Sequence, residues 1–248
     1  LGAYLQGWKI MDIRNSVVLI TGANRGLGLA FAKEALARGA SKVYAAVRDP
    51  STLTLEGVVP LRLDVTDAAQ ISAAAAHCGD VSVLINNAGI ASLGGFLEED
   101  SMSSTRRHME TNFFGMLAMA RAFAPVLARN GGGAMLNVLS VASWTNLPSL
   151  AAYGSSKSAA WALTNGLRHE LHEQGTQVLG LHVSFVDTDL TRGLDVPKVA
   201  PAAVVSQALD GLAAGAQEVL ADDSTRQVKR GLSAEPAIYL SHPHRAVA

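Results

Sequence analysis

The 248-residue chain has a single cysteine, Cys78. No intrachain disulfide can form, and the cysteine usage does not point to an oxidising compartment. Aromatic side chains are only 5% of residues, so aliphatic side chains and alanine must fill the core, a mix suited to helices packed closely on a sheet. Neither sign of charge is in excess. The 20 Lys and Arg against 21 Asp and Glu give a net charge of -1, which supplies no general attraction to nucleic acid or an anionic membrane. No uninterrupted apolar run approaches the roughly 20 residues that span a bilayer, and the N-terminus lacks the layout of a secretory signal. Repeats, charge blocks and low-complexity linkers are missing too, and a cytoplasmic location is the expectation. Met11 reads as the natural start, with residues 1–10 an added or disordered leader. Residues 11–248 then form one domain with a C-terminal tail, as the length allows.

From Ser16 onward, short β-branched runs alternate with longer alanine-rich stretches of helical period. Strands are expected at 17–21, 42–47, 58–63, 81–86, 134–139, 177–183 and 218–221, and helices at 26–38, 67–77, 101–129, 152–174 and 201–214. Runs such as VVLIT, VLIN and MLNVL are apolar almost throughout, which fits parallel strands buried on both faces. The alternation predicts right-handed βαβ units in a Rossmann-like, doubly wound α/β sheet of about seven strands. One crossover is short. Only RDPSTLTLEG separates strands two and three, fewer residues than a full helical crossover uses. A loop or one helical turn is expected there, with that face of the sheet thinly covered.

The first strand runs into TGANRGLG, Thr21 to Gly28, which opens directly into a helix. Glycines at 22, 26 and 28 allow a tight turn and close approach of backbone to phosphate, and the helix N-terminus offers free N–H groups to a pyrophosphate. The spacing differs from the commoner G-x-G-x-x-G, and a plain strand-to-helix turn is the competing reading. Asn24, Arg25 and Leu27 share the loop, and Arg25 has no packing purpose there. The second strand ends Val47-Arg48-Asp49. Arg48 can stack on adenine and pair with a 2′-phosphate, which favours NADP(H), whereas Asp49 keeps NAD(H) possible. Asp64, ending LRLD, accepts a bond from adenine, or else Asp64 or, more readily, Thr66 caps the next helix.

A second group carries proton-transfer chemistry. The fourth strand ends in NNAG, Asn86 to Gly89, where Asn side chains can tie neighbouring strands. The fifth ends at Ser140, and thirteen residues on comes Tyr153-Gly-Ser-Ser-Lys157. Residues four apart share a helix face. Free tyrosine, with a pKa of about 10, exchanges a proton sluggishly at neutral pH. An adjacent ammonium is expected to lower that pKa, Lys157 to reach the nicotinamide ribose, and Ser140 to hold the substrate oxygen.

Taken together, TGANRGLG, Asp64-Val65, NNAG, TNFFG, the serine of NVLSVAS and YGSSK resemble, in order and spacing, the short-chain dehydrogenase/reductase family. The likeness runs from about Ser16 to Ala221 and points to the single-domain, NADP-preferring carbonyl reductase type. It implies a catalytic tetrad of Asn112, Ser140, Tyr153 and Lys157, with Asn112 disturbing its helix so that its backbone holds a water beside the lysine. It further implies that Asp64 and Val65 contact adenine and that Asn87, Ala88 and Gly89 line the adenosine ribose. Arg25 and Arg48 fall at basic positions of NADP-preferring members, and Val47 stands where NAD-preferring ones carry an acid. Val186 and Thr188 fall where the family holds the nicotinamide amide. Val183-Ser184 replaces the usual Pro-Gly, so a somewhat different local path is expected.

Segments 93–96, 143–147 and 189–200 are expected to surround the substrate. Phe96, Trp144, Leu147, Phe185, Leu190 and Leu194 suggest a small to medium hydrophobic ketone or aldehyde, with Trp144 either a pocket wall or packed in a loop. The expected activity is reversible, NADPH-dependent carbonyl reduction with Tyr153 as proton donor. The alternatives are an NAD-dependent alcohol dehydrogenase and a cofactor-binding regulatory protein with little turnover. Among the histidines, His108, His169, His172, His182, His242 and His244 show no ligand spacing with acids, so no metal is expected. The alanine-rich faces of 101–129 and 152–174 suggest a homodimer or homotetramer. The tail, 222–248, is read as a cap on the substrate side, an aid to assembly or a mobile end.

Overall fold

Strand formation follows directly from the buried β-branched runs. In the computed structural model, which describes residues 11–240, seven strands build one sheet. They are β1 (Val17–Thr21), β2 (Lys42–Val47), β3 (Val59–Arg62), β4 (Val83–Asn86), β5 (Ala134–Val138), β6 (Gln177–His182) and β7 (Glu218–Leu220). Their spatial order is β3-β2-β1-β4-β5-β6-β7, and every pairing is parallel. The doubly wound sheet expected from the sequence is therefore present. The order reverses between β1 and β4, and ligands of open α/β sheets bind at the carboxyl ends of such a switch point. The leader at 1–10 and the end of the tail, 241–248, lie outside the described residues.

Alternate residues of each strand serve opposite cores. Val18, Ile20, Val43, Ala45, Val83 and Ile85 pack with Phe31, Ala32 and Ala35 of α1 (Gly26–Ala37) and with Val204 to Leu212 of α6 (Pro201–Ala213). Leu19, Tyr44, Ala46, Leu84 and Met135 face the other way. They meet Ile71 and Ala74 of α2 (Ala68–His77), Met119, Phe123 and Leu127 of α4 (Gly115–Arg129), and Leu167 of α5 (Ala151–Glu170). Phe31 and Phe123 are fully buried, and truncating either to alanine costs about 3–5 kcal/mol by the usual cavity relation.

Two elements differ from the periodicity reading, and a third matches it. The stretch 101–129 is not one regular helix. α3 (Ser101–His108) passes through a π turn, Met109–Phe114, before α4 begins. This whole stretch is long and apolar enough to cross a membrane by length and composition, yet α4 supplies Met119, Phe123 and Leu127 to the core. Second, the tail contains α7 (Asp223–Gly231). With Val228 as its one large aliphatic side chain, it shows no apolar stripe. Its helix signals are instead electrostatic: Asp222 at the N-cap, Asp223 in the first turn, and Lys229 and Arg230 in the last. Third, the short crossover is a single 3-10 turn, Pro50–Thr52. As expected, cover is thin there: Val59 and Pro60 of edge strand β3 are exposed. A proline fits that edge because it leaves no central ladder bond unmade.

Candidate active site

The carboxyl ends of the strands open on a cleft of about 980 Å³, the size of a small-molecule or cofactor site. At its centre the glycine loop turns from β1 into α1. Gly26 has φ +53° and Gly22 φ +68°, conformations that side-chain-bearing residues rarely adopt. A Cβ on Gly28 would stand 2.1 Å from the Gly22 carbonyl oxygen and 2.6 Å from Asn87 Nδ2, so only glycine fits. Arg25, the N-cap residue of α1, provides no side-chain cap. The first amides of the helix thus lack that internal acceptor, at the position where a pyrophosphate would be received.

The end of the cleft where adenosine is expected is lined by Val47, Arg48, Asp49, Asp64, Val65, Asn87, Ala88 and Gly89. Several of these residues also have duties within the protein. Asp49 accepts bonds from the amide and hydroxyl of Ser51 at 3.0 and 2.8 Å. Those bonds cap the 3-10 turn and hold its carboxyl below the usual range. Asn24 donates to Thr52 Oγ1 at 3.1 Å and ties the glycine loop to the same turn. Asp64 Oδ1 accepts from the amide and hydroxyl of Thr66. The cap of α2 is Asp67, bonded to the amides of Ala69 and Gln70, rather than Asp64 or Thr66. Asn87 lines the cleft, but its side-chain amide donates to the Thr21 and Gly22 carbonyls at 2.8 and 3.2 Å. It fastens the end of β4 to the glycine loop. Asn86 donates to Asn137 at 2.9 Å, tying β4 to β5 as expected. Arg25 lies 4.0 Å from Asp189, both largely exposed.

The candidate proton-transfer group is assembled from three elements. Ser140 ends the β5 strand region, Tyr153 and Lys157 stand one turn apart on α5, and Asn112 sits in the π turn. The Ser140 side chain pulls the Tyr153 phenol down, while burial of the hydroxyl pushes it up more strongly. Lys157 is 5% exposed. Its Nζ donates to the Val138 carbonyl at 2.8 Å and lies 5.9 Å from the centre of the Tyr153 ring. Burial pushes the lysine down to about 8. This corrects the expectation from spacing that the ammonium lowers the tyrosine. In this arrangement desolvation dominates the phenol, and the serine opposes it.

Asn112 is 1% exposed. Its Nδ2 donates to the Ile90 carbonyl and to Ser156 Oγ, both at 2.9 Å, and its Oδ1 accepts from the Ile90 amide. Ser156 in turn donates to the Tyr153 carbonyl at 2.7 Å. The asparagine thus joins the strand-end segment after NNAG to the helix that carries the tyrosine. Sequence reasoning missed His108, which is 1% exposed. Its Nδ1 donates to the Ser104 carbonyl, its Nε2 accepts from the Ser92 amide, and its ring packs edge-on to Tyr153 at 6.5 Å. Its place four residues, one helical turn, before Asn112 was the available signal.

On the substrate side, Leu147, Phe185, Leu190 and Leu194 line the cleft as expected, joined by Ser224 and Val228 of α7. Trp144 and Phe96 do not line it. Phe96 belongs to a separate shallow depression, and Trp144 packs in a loop. Trp144 stacks on His182 at 3.9 Å, meets Trp161 edge-on, and lies beneath the Lys229 ammonium at 4.7 Å. His182 donates from Nδ1 to the Ser140 carbonyl at 3.2 Å, and burial pushes its imidazole down to about 3. At the replaced Pro-Gly position, Val183 is buried and the Ser184 amide donates to Asp222 at 2.8 Å. Val186 and Thr188 face the cleft, and Thr188 would stand 3.3 Å from a Cβ on Gly26.

The model of the short chain dehydrogenase family matches residues 16–197. The chain belongs to that family. A short-chain dehydrogenase from Burkholderia cenocepacia, solved with NADP, is 38% identical; the match covers 94% of this chain and all of that one, at a TM-score of 0.89. A family member from Burkholderia phymatum, solved with NAD, is 25% identical over 89% of this chain and 94% of its own, at a TM-score of 0.79. Among curated relatives, galactitol 2-dehydrogenase (L-tagatose-forming) of Cereibacter sphaeroides is 36% identical, covering 73% of this chain and 76% of that protein. Dehydrogenase/reductase SDR family member 7B of Bos taurus is 33% identical over 72% of this chain. The chain spans only 60% of the bovine protein's length and 55% of that of an oxidoreductase from Schizosaccharomyces pombe. The matched part therefore has the fold and cleft of an NAD(P)-dependent oxidoreductase, with family members of known structure holding either dinucleotide.

Proposed function

We propose that this chain is an NADP(H)-dependent carbonyl reductase, working reversibly on a small to medium hydrophobic ketone or aldehyde. The observation that carries the reading is that Ser140, Tyr153 and buried Lys157 line one cleft with a glycine-only phosphate turn. The dinucleotide supplies or accepts the hydride. Gly22, Asn24, Gly26 and Leu27 form the turn that receives its pyrophosphate. Asp64, Val65, Asn87, Ala88 and Gly89 surround its adenosine, and Val186 and Thr188 its nicotinamide. Arg25 and Arg48 take the 2′-phosphate. Engagement of Asp49 by Ser51 supports this choice, since the acid that would have favoured a free ribose is committed to its turn.

In reduction, Ser140 orients the substrate oxygen, and Tyr153 gives it a proton as negative charge develops there. A phenol held above its ordinary value stays protonated at neutral pH, the form reduction needs. Lys157 keeps positive charge beside it, and Asn112 sets the α5 turn against the Ile90 segment. Leu147, Phe185, Leu190 and Leu194 form an apolar wall, which favours uncharged carbonyl compounds. The outer faces of α4 and α5 pair copies into a dimer or tetramer, and the reduced, buried cysteine suits a cytoplasmic setting.

The test is NADPH and NADH oxidation over a panel of aryl ketones, aldehydes and charged keto-acids, comparing wild type with Tyr153→Phe. The expected result is turnover of the uncharged set with NADPH and a loss of about 10²–10⁴-fold in the variant. Unchanged turnover in Tyr153→Phe removes the proton donor, and preference for the keto-acids removes the substrate class.

A further inference from the structure

Two walls of the cleft meet at one buried carboxylate outside the proton-transfer group. Segment 184–188 leaves β6 along the cleft, with Ser184, Phe185, Val186 and Thr188 in its lining. α7 follows β7, with Ser224 and Val228 in the same lining. Asp222 lies between them at 8% exposure. Its Oδ1 accepts from the Thr225 amide at 2.8 Å. Its Oδ2 accepts from the Thr225 hydroxyl and from the Ser184 amide, each at 2.8 Å. Burial alone would raise this carboxyl, but the donors from Ser184 and Thr225 hold it below the usual range.

Capping a helix asks less than this. One side-chain oxygen on the amide of Thr225 suffices, and serine, threonine or asparagine supplies it. The second oxygen and the charge serve the Ser184 amide, 38 residues away in the chain. A carboxylate is acceptor-only at both oxygens, so it can take donors from two elements at once. The segment is otherwise held by Val199, which accepts from the Asp187 amide at 3.0 Å and donates to the Phe185 carbonyl at 2.9 Å, and by the Thr191 hydroxyl, which donates to the Val186 and Thr188 carbonyls. Asp222 therefore fixes the start of the segment, and Val199 its middle.

We infer that Asp222 is a positioning residue that sets segment 184–188 and the α7 wall against each other, so that one side chain governs both nicotinamide placement and substrate fit. The inference rests on the reading of the cleft as an NADP(H) site. Asp222→Asn keeps an oxygen for the cap but turns an N–H₂ group toward the Ser184 amide. Asp222→Ser keeps the cap and cannot span to Ser184, and it stands in should the asparagine variant misfold. Thr225→Val keeps the Ser184 bond and removes only the hydroxyl contact.

The measurements are NADPH dissociation constants by fluorescence titration, substrate KM, melting temperature, and hydrogen exchange of the peptide containing 184–188. Asp222→Asn and Asp222→Ser are expected to weaken NADPH binding and raise KM about tenfold, as one lost charge-assisted bond predicts, and to speed exchange at 184–188. Thr225→Val is expected to leave both constants within about twofold, the scale of a contact that touches neither ligand. Equal shifts in all three variants, or wild-type constants and exchange in the Asp222 variants, overturn the inference by reducing Asp222 to a helix cap. Failure of the wild type to bind NADPH defeats the cofactor reading instead, and the exchange contrast still decides whether Asp222 holds the segment.

Discussion

Within the proposed proton-transfer group, burial and backbone contacts set the charge that Lys157 carries. Lys157 spends one Nζ hydrogen on the Val138 carbonyl and is buried deeply enough to titrate at about 8. Burial depresses this base, so it is charged below pH 8 and neutral above. Reduction at low substrate is therefore expected to decline as pH rises through about 8. Lys157→Arg, whose guanidinium stays charged over that range, is expected to be slower but to show no such limb. A pH profile of kcat/KM for both proteins checks this. Arg48 supports a second residue-scale prediction. Arg48→Ala is expected to raise KM for NADPH about tenfold, the scale of a lost charge-assisted contact, and to leave KM for NADH nearly unchanged. Steady-state kinetics with both cofactors would reveal an equal effect, which would remove the 2′-phosphate role.

Among the elements, legibility in the sequence followed how local the cause was. The strands and α1, α2, α5 and α6 were readable to within a few residues because each is driven by its own apolar period. The π turn at Met109–Phe114 was invisible to that period. One extra residue in a turn does not change composition, and its reason, Asn112 reaching Ile90 and Ser156, is a contact across the fold. α7 was hidden for a similar reason. Its ends are set by charge and capping, and its place by Asp222 and by Lys229 lying over Trp144. Of the site, the glycine loop and the Ser140, Tyr153 and Lys157 positions were legible from spacing. The direction of the tyrosine shift was not, because burial depends on all the surrounding elements.

Two element-scale predictions follow from this packing. Gly28→Ala places a methyl 2.1 Å from the Gly22 carbonyl, so it is expected to abolish dinucleotide binding and to lower the melting temperature. Fluorescence titration and thermal denaturation read the two effects separately. His182 joins β6 to the Trp144 and Ser140 segment and is held neutral to about pH 3. Between that value and the ordinary 6.5 the unfolded chain binds a proton that the folded chain does not, so stability falls as pH drops across this window. Denaturant midpoints from pH 7 to 4 are expected to decline, and to decline less in His182→Phe.

At the scale of the whole molecule, one sheet gathers the glycine loop, the proposed adenosine end and the proposed proton-transfer group along its carboxyl edge. The proposed pairing through α4 and α5 predicts a dimer or tetramer by light scattering, and a charged residue at exposed Phe114 is expected to shift it toward monomer. An unchanged mass would place the interface elsewhere.

The β3 margin and the interior of that sheet are built unequally. β3 carries a proline and an exposed valine and is reached by a single 3-10 turn, while the interior strands between α1, α6, α4 and α5 are sealed. On that side of the sheet, opening should begin at the β2–β3 margin, where exposed strand residues offer little resistance. Because Arg48 and Asp64 flank that margin in the chain, part of the free energy of gripping the adenosine phosphate would go into quieting a fraying edge. Selectivity between the two dinucleotides would then depend on how well this edge holds together as well as on which charge it presents.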